Sequence, residues 1–273
     1  MKLPSTRLCL VALGIGAALL VAACGGIRKA TVPMATTLEK SNCARNVDTL
    51  LVMLPGAYST PDEFTREGFV SAVRDARLAA DVMLVDAHLG YYNNRSILER
   101  LSADVMAPAR QHGYRHIWIV GISVGGFGGL LYAQTHPGEL SGVVTLAPYL
   151  GERAQSTDIA NAGGLAQWRG PLADPGEGIP RAPNETQLWQ WLRGYVGFTQ
   201  TAAPRPPLYL GYGVDDRFAF SHRLLAAALP AERVFTTEGG HDWPEWKRLW
   251  QRMLPTLPLP GCPVDAGSTG SEH

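Results

Sequence analysis

The sequence predicts an α/β fold: a mostly parallel sheet of about six strands, with helices on both faces and one inserted segment. Three observations support this prediction. Short apolar runs alternate with longer helical patterns from residue 47 onward. Most of these runs are apolar at nearly every position, as strands covered on both faces must be. The chain has 273 residues, 46% of them hydrophobic, and can therefore bury one sizeable core.

The strand candidates are runs of β-branched and aliphatic residues. They are VDTLLVML from residue 47, DVMLVDA from 81, HIWIVGI from 116, GVVTLA from 142, PLYLGYG from 207 and RVFTTE from 233. Helical patterns lie between them, over residues 63–79, 95–112, 125–136, 219–229 and 243–253. This alternation predicts a folded domain over residues 47–255, followed by a C-terminal tail over 256–273.

One interval does not fit the alternation. Residues 148–206 separate the fourth and fifth strand candidates and are rich in proline, glycine and aromatic residues. This length exceeds that of an ordinary connection between a strand and a helix. We therefore expect a cap inserted between the fourth and fifth strands. Its aromatic residues either line a substrate pocket or pack the cap onto the domain.

The N-terminal residues have the composition of an export signal. Two basic residues precede an apolar stretch over residues 8–21, and VAAC follows. This arrangement resembles the lipobox of bacterial lipoproteins. The resemblance implies that residues 1–23 are a cleaved signal peptide, that Cys24 carries a diacylglyceryl group, and that residues 24–46 form a tether to a membrane. A plain secretory peptide or an uncleaved anchor is the alternative.

The residues after Cys24 indicate where such a protein goes. Two glycines follow, and no aspartate is present there to signal retention in the inner membrane. The resemblance therefore implies a lipid-anchored protein of the bacterial cell envelope, in the outer membrane and facing the periplasm or the cell surface. In an oxidising compartment Cys43 and Cys262 are the remaining cysteine pair, and we expect a disulfide between them. Two free thiols are the alternative.

The charge of the chain argues against one class of partner. The sequence has 24 basic and 24 acidic residues, so its formal net charge is zero. No basic stripe is present to neutralise the phosphates of DNA or RNA. We therefore expect the partners to be a small acyl substrate and a membrane, with no nucleic acid. The oligomeric state is left open.

A serine between glycines follows the third strand candidate. Residues 121–125, GISVG, match the pattern G-x-S-x-G, with a buried strand before the motif and a helix after it. A sharp turn there forces Ser123 into a strained backbone conformation and brings the flanking glycines against neighbouring strands. The helix that follows directs its free N–H groups at the site, so the Val124 amide can stabilise an oxyanion. A closely packed glycine turn without chemistry is the alternative.

A serine hydroxyl needs a base and an acid before it can act as a nucleophile. His241 follows the last strand candidate on a glycine-rich loop and is the candidate base. The stretch GYGVDDRF, after the fifth candidate, offers two adjacent aspartates whose side chains point in different directions. The spacing from Gly213 favours Asp216 as the acid, and Asp215 is the alternative.

Residues 47–255 thus resemble an α/β-hydrolase of the serine esterase and lipase type. The order Ser123, Asp216, His241, with each residue after a late strand, is the order of that family. The resemblance implies a serine hydrolase that cleaves an ester, thioester or amide through an acyl-enzyme, without metal or organic cofactor. An acyltransferase with the same triad, or a non-catalytic envelope lipoprotein, is the alternative. The two strands that usually open the fold are not evident before residue 47, which predicts a shortened sheet.

The family also places an oxyanion donor after its first motif strand. Here the matching stretch is MLPGAY, in which Pro55 stands where the family usually has histidine. The glycine is retained, so the resemblance implies that the amide of Ala57 is the second donor, beside that of Val124, and the amide of Tyr58 is the alternative. Three residues that follow strand candidates are candidates for the substrate pocket: Tyr58, His88 and Tyr91.

Overall fold

The structure is a computed structural model that describes residues 28–43, 46–170, 185–197 and 205–263. The predicted signal peptide, Cys24, part of the predicted cap and the end of the predicted tail lie outside the described residues. Within the described ranges, no helix is long and apolar enough to cross a membrane.

A sheet of seven strands forms the centre of the described structure. The strands are β1 (Thr36–Glu39), β2 (Thr49–Leu54), β3 (Ala80–Val85), β4 (His116–Ile122), β5 (Gly142–Leu146), β6 (Leu208–Gly213) and β7 (Val234–Thr237). Their order across the sheet is β1-β3-β2-β4-β5-β6-β7. Strands β2 to β7 are parallel, and only β1 runs antiparallel, beside β3. The predicted α/β fold is confirmed. We call the side where β2 to β7 end the carboxyl edge.

The helices connect these strands and flank the sheet. They are α1 (Glu63–Arg66), α2 (Phe69–Asp75), α3 (Leu89–Asn93), α4 (Ile97–Arg100), α5 (Ala107–Gln111), α6 (Val124–Thr135), α7 (Arg153–Asn161), α8 (Glu185–Leu192), α9 (Ala219–Ala226) and α10 (Trp243–Met253). A π-helical segment over Leu101–Met106 joins α4 to α5. It ends just before Pro108, which has no N–H to donate. The single helix predicted over 95–112 is therefore divided into three segments.

The sheet has one strand more than the sequence analysis expected. Strand β1 pairs with β3 at the edge, with Thr36 opposite Val85 and Glu39 opposite Val82. Most of its four residues are exposed, because an edge strand is covered on fewer sides than a central one. Its sequence, TTLE, therefore lacks the apolar run by which the other strands were recognised. The opening strand is present but polar and short.

Hydrophobic cores lie on both faces of the sheet. Along β2, Leu50, Val52 and Leu54 belong to one core, whereas Leu51 and Met53 belong to the other. This alternation follows from the two-residue period of a strand. Helices α3 to α6 and α9 contribute to the first core, and α1, α2 and α10 to the second. The two covered faces explain why the central strands are apolar throughout.

The described part of the predicted cap packs onto the first core. Trp168 and Trp189 are almost completely buried there. The indole N–H of Trp189 donates to the Leu150 carbonyl at 2.8 Å, and that of Trp168 donates to Asp158 at 2.8 Å. Of the two roles considered for the aromatic residues of the cap, packing therefore applies to these two tryptophans.

Residues 28–43 lie against the domain, although the sequence analysis assigned them to a tether. Besides β1, this segment is held by the buried carboxylate of Asp81, which accepts hydrogen bonds from Lys40, from the Ser41 amide and from Tyr114. We call residues 28–43 the N-terminal segment. The prediction of a tether over 24–46 is therefore wrong for these residues, because the segment adds a strand to the open edge of the sheet.

A disulfide joins the end of the N-terminal segment to the C-terminal part of the domain. Cys43 and Cys262 are bonded, with Cα atoms 5.3 Å apart, as the sequence analysis expected. The Cys262 amide donates to the Arg77 carbonyl at 2.7 Å, which holds the C-terminal partner beside the loop before β3. The bond spans a sequence separation of 219 residues and so links the end of the N-terminal segment to the C-terminal part of the described chain.

We expect the double substitution Cys43→Ser/Cys262→Ser to lower the free energy of unfolding by about 2–4 kcal/mol, because the bond restricts a long loop of the unfolded chain. Guanidinium-induced unfolding without reductant measures this difference. Reduced wild-type protein is the control and should unfold at the same midpoint as the variant. An unchanged midpoint in the variant contradicts the prediction.

Candidate active site

Ser123 lies at a sharp turn between β4 and α6. Its backbone has φ 53° and ψ −115°, a conformation that residues with a side chain rarely adopt. Glycines on both sides allow the turn. A Cβ on Gly121 would lie 2.4 Å from the Gly125 carbonyl oxygen, and a Cβ on Gly125 would lie 2.2 Å from that of Leu54. The contact with Leu54 brings the loop after β2 directly against the turn.

Two backbone hydrogen bonds hold the strained turn. The Ser123 amide donates to the Leu146 carbonyl at 2.9 Å, and the Tyr149 amide donates to the Ser123 carbonyl at 3.0 Å. Both partners belong to the end of β5 or to the loop after it. The position of Ser123 therefore depends on a neighbouring strand as well as on its own glycines.

His241 and Asp216 complete a hydrogen-bonded chain from the serine. His241 Nε2 lies 2.9 Å from Ser123 Oγ, and His241 Nδ1 lies 2.7 Å from Asp216 Oδ2. The acid comes from the loop after β6, and the histidine from the loop between β7 and α10. The Asp216 side chain is fully buried and that of His241 is only 9% exposed. The structure thus brings together the three residues that the sequence analysis selected.

The structure also distinguishes the two adjacent aspartates. Asp216 Oδ1 accepts a hydrogen bond from the Phe218 amide at 2.7 Å, while its other oxygen faces His241. Asp215 is exposed, and its amide donates to the Gly239 carbonyl at 3.1 Å. The carboxylate that contacts the imidazole is therefore that of Asp216.

The ionisation of Asp216 follows from its contacts. Burial alone raises the pKa of this carboxyl group. The hydrogen bonds from His241 and from the Phe218 amide oppose burial, and the net pKa lies below its usual value. Asp216 is therefore a carboxylate at neutral pH and accepts the Nδ1 proton of His241. The Nε2 atom is then free to accept the hydroxyl proton of Ser123.

Two residues with unpaired backbone amides lie close to Ser123. Val124 is the first residue of α6, and the first N–H groups of a helix have no partner inside it. Gly56, just before Ala57, lies close to the serine, since a Cβ on it would be 3.7 Å from Ser123 Cβ. Within the described structure, no carbonyl accepts a hydrogen bond from the amides of Ala57 or Val124. Both predicted oxyanion donors are unpaired beside the serine.

A cavity of about 260 Å³ lies beside Ser123 and His241. Its walls include Ala57 and Tyr58 from the loop after β2, and Trp243 and Trp246 from the start of α10. The imidazole of His241 packs edge to face against Trp246, with ring centroids 5.2 Å apart, and likewise against Phe218 at 5.1 Å. The predicted pocket residue Tyr58 therefore lies on the wall of this cavity, which aromatic side chains share with the charged side chains of Glu63 and Arg217.

His88 and Tyr91 do not line this cavity, so the prediction that they border the pocket is corrected. Tyr91 is completely buried, and its hydroxyl group contacts Thr31. His88 is also buried, and its Nδ1 accepts a hydrogen bond from the Gly90 amide at 3.1 Å, which caps α3. The N-terminal segment, which was expected to be a tether, covers these residues.

One histidine beside the site was not selected from the sequence. His222, on α9, is fully buried, and its Nε2 lies 2.9 Å from the Pro148 carbonyl. Its Nδ1 is buried without a hydrogen-bond partner. Burial lowers the pKa of His222 to about 4, so its ring is neutral at neutral pH. The three-residue spacing of Ala219, His222 and Leu225 is the sequence signal that places this histidine on the buried face of its helix.

We expect Gly125→Ala to destabilise the protein by about 3 kcal/mol, because the added Cβ would overlap the backbone of Leu54 and Pro55. Thermal unfolding followed by circular dichroism measures the effect. Gly240→Ala is the matched control. It lies beside His241, and its Cβ would meet nothing within 4 Å. Equal stability of the two variants contradicts the close contact at Gly125.

We expect the stability of the protein to fall as the pH decreases from 6.5 to 4. In the folded state the pKa of His222 is about 4, below its ordinary value of 6.5, so the unfolded chain binds a proton in this interval and the folded chain does not. Stability is therefore fully present above pH 6.5. The expected loss is about 3 kcal/mol.

Denaturant unfolding at a series of pH values tests this expectation. His222→Gln can still donate to Pro148 but cannot titrate, so its stability should depend less on pH in this interval. His112→Gln is the control, because His112 is exposed and folding does not desolvate it. The same pH dependence in wild type and His222→Gln contradicts the prediction.

Comparison with known proteins identifies the family of this chain. A family model described as "alpha/beta hydrolase fold" matches residues 50–198, more than half of the chain. No curated protein matches the sequence.

Several solved structures have a similar fold. An S-formylglutathione hydrolase from Agrobacterium tumefaciens is 12% identical, with 85% of this chain and 92% of that one covered, and has a TM-score of 0.54. Est1E from Butyrivibrio proteoclasticus is 15% identical over 85% and 96%, with a TM-score of 0.50. A ferulic acid esterase is 18% identical over 82% and 96%, with a TM-score of 0.50. At these identities the structures support the fold, and the match to the family model shows that the chain belongs to the alpha/beta hydrolase fold family.

Proposed function

We propose that this protein is a serine hydrolase that cleaves a carboxylic ester through an acyl-enzyme on Ser123. The observation that carries the proposal is the hydrogen-bonded chain from Ser123 Oγ through His241 to Asp216, beside an open cavity. The names of the structural neighbours, which include esterases, are consistent with an ester as the bond that is cleaved. The family alone would not assign an activity.

The first half of the reaction forms the acyl-enzyme. Ser123 Oγ attacks the carbonyl carbon of the ester while its proton passes to His241 Nε2. The carbonyl oxygen gains negative charge and accepts hydrogen bonds from the amides of Ala57 and Val124. Asp216 stabilises the imidazolium and keeps its ring in position. The intermediate then collapses, the bond to the alcohol breaks, and His241 returns the proton to the leaving oxygen.

The second half uses water. A water molecule attacks the acyl carbonyl, and His241 Nε2 takes its proton. The same two amides support the second tetrahedral intermediate, which collapses to a carboxylic acid and regenerates the Ser123 hydroxyl. All of these steps use groups of the chain and the two reactants.

We also propose that the enzyme is held at a bacterial envelope membrane by lipid on Cys24. The basic start, the apolar stretch over residues 8–21 and the VAAC ending support this proposal. Cys24 lies four residues before the first described residue, Arg28. The lipid would therefore join the folded domain through a very short connection.

We expect a fluorophosphonate probe to modify Ser123 in the wild-type protein and to leave Ser123→Ala unmodified, because only an activated serine reacts. Mass spectrometry of the labelled peptide locates the adduct. Asp216→Asn should lower kcat for 4-nitrophenyl acetate by about 10⁴, since it no longer stabilises the correct form of His241. Asp215→Asn is the matched control and should retain its activity. A folded wild type without an adduct, or equal losses in the two aspartate variants, contradicts the proposal.

A further inference from the structure

The described chain enters the domain at the carboxyl edge, the same side as Ser123. Arg28 donates two hydrogen bonds of 3.0 Å to Asp86, which directly follows β3. The backbone of Arg28 also packs closely against α3, since a Cβ on Gly90 would lie 2.0 Å from the Arg28 carbonyl oxygen. Strand β1 then runs antiparallel to β3, away from this edge. The start of the N-terminal segment is therefore fixed beside the carboxyl edge.

The length of the chain before Arg28 limits where the lipid can lie. Four residues span at most about 14 Å in any conformation. A strand of six residues, such as β3, is already about 20 Å long. A lipid on Cys24 therefore cannot reach past the opposite edge of the sheet. This limit excludes a membrane at the opposite edge of the sheet.

Exposed apolar side chains concentrate at this same edge. Within the described residues, four large hydrophobic side chains are exposed: Val32 (74%), Leu38 (41%), Tyr58 (92%) and Val214 (46%). Val32 precedes β1, Tyr58 follows β2 and Val214 follows β6, so three of the four lie at the carboxyl edge. Only Leu38 lies within a strand.

These three residues flank the candidate active site. The order of strands across the sheet places β4, and with it Ser123, between the strands that carry Tyr58 and Val214. Tyr58 also lines the cavity beside the serine. An apolar surface laid over Val32, Tyr58 and Val214 would therefore cover the entrance to the cavity.

The charges at this edge are mixed. Lys29 and Arg217 are exposed, and neither forms an ion pair with a described residue. Arg217 also lines the cavity, where an anionic headgroup would meet it. Asp215 and Asp242 are exposed nearby, so the edge as a whole is not basic. The lipid on Cys24 and the apolar side chains therefore contribute more to docking than charge does.

We propose that the surface formed by Val32, Tyr58 and Val214 rests on the bilayer that holds the Cys24 lipid, and that the substrate is an acyl ester drawn from that bilayer. The substrate class rests on the proposed function. In this orientation an ester at the membrane surface enters the cavity past Tyr58 and meets Ser123.

Position-specific fluorescence in the full acylated protein tests the orientation. Val32→Cys and Val214→Cys each add one free thiol to a protein whose Cys43 and Cys262 form a disulfide and whose Cys24 is acylated. The control is Gln111→Cys, at the exposed end of α5 before β4, on the opposite edge. Each thiol carries an environment-sensitive dye, and the proteins are bound to vesicles of phosphatidylethanolamine and phosphatidylglycerol with brominated acyl chains. Quenching of the dyes at 32 and 214 but not at 111 supports the proposal.

Equal quenching at the three positions overturns the proposed orientation. Absence of the diacylglyceryl group on Cys24, read by mass spectrometry of the purified protein, overturns it as well, because the argument from the short connection then fails.

Enzyme kinetics test the source of the substrate. We expect the double substitution Val32→Ser/Val214→Ser to lower the rate of hydrolysis of 4-methylumbelliferyl oleate held in vesicles by about tenfold. Hydrolysis of dissolved 4-methylumbelliferyl acetate should be unchanged, because neither residue lines the cavity. Leu38→Ser is the matched control and should resemble wild type with both substrates. Equal rates of the double variant and wild type on vesicles overturn the docking surface. Failure of wild type to hydrolyse the acetate contradicts the proposed function instead.

Discussion

The strained turn at Ser123 is the constraint on which the rest of the site depends. A non-glycine residue at φ 53° costs about 1–3 kcal/mol, and the surrounding structure must supply that free energy. The contact of Gly125 with the Leu54 carbonyl packs the turn against the loop that carries Ala57. The same turn thus places Ser123 at the wall of the cavity and brings the loop with Ala57 next to the start of α6.

Support for this turn extends to residues that do not touch the reacting atoms. The Tyr149 amide holds the Ser123 carbonyl, and the neighbouring Pro148 carbonyl accepts a hydrogen bond from His222. His222 must be neutral to remain buried, since burial lowers its pKa to about 4. A neutral buried histidine and a buried carboxylate, Asp216, thus lie close to one another, and each is stabilised by different contacts. Asp216 keeps its charge because His241 and the Phe218 amide donate to it.

The sequence allowed the parts of the structure with strong local signals to be predicted. Strand β4 has the predicted bounds. The three residues Ser123, Asp216 and His241 meet because parallel strands end at a common edge of the sheet. What could not be predicted depends on contacts between distant residues. Strand β1 is polar because it lies at an edge, so no apolar run marks it. The burial of His88 and Tyr91 depends in turn on that unrecognised segment, and His222 is buried by strands and loops far from it in sequence.

The direction of the N-terminal segment connects the fold to the proposed membrane attachment. Because β1 is antiparallel to its neighbour, the segment begins at the carboxyl edge and ends at the opposite one. The opposite end is fixed covalently by the Cys43–Cys262 disulfide and by the hydrogen bonds of Asp81. A pull on the chain before Arg28 therefore acts along a strand that is bonded over its length and covalently held at its far end. A parallel β1 would have placed the start of the segment at the edge away from Ser123. The proposed orientation toward the membrane therefore follows from the direction in which one short strand runs.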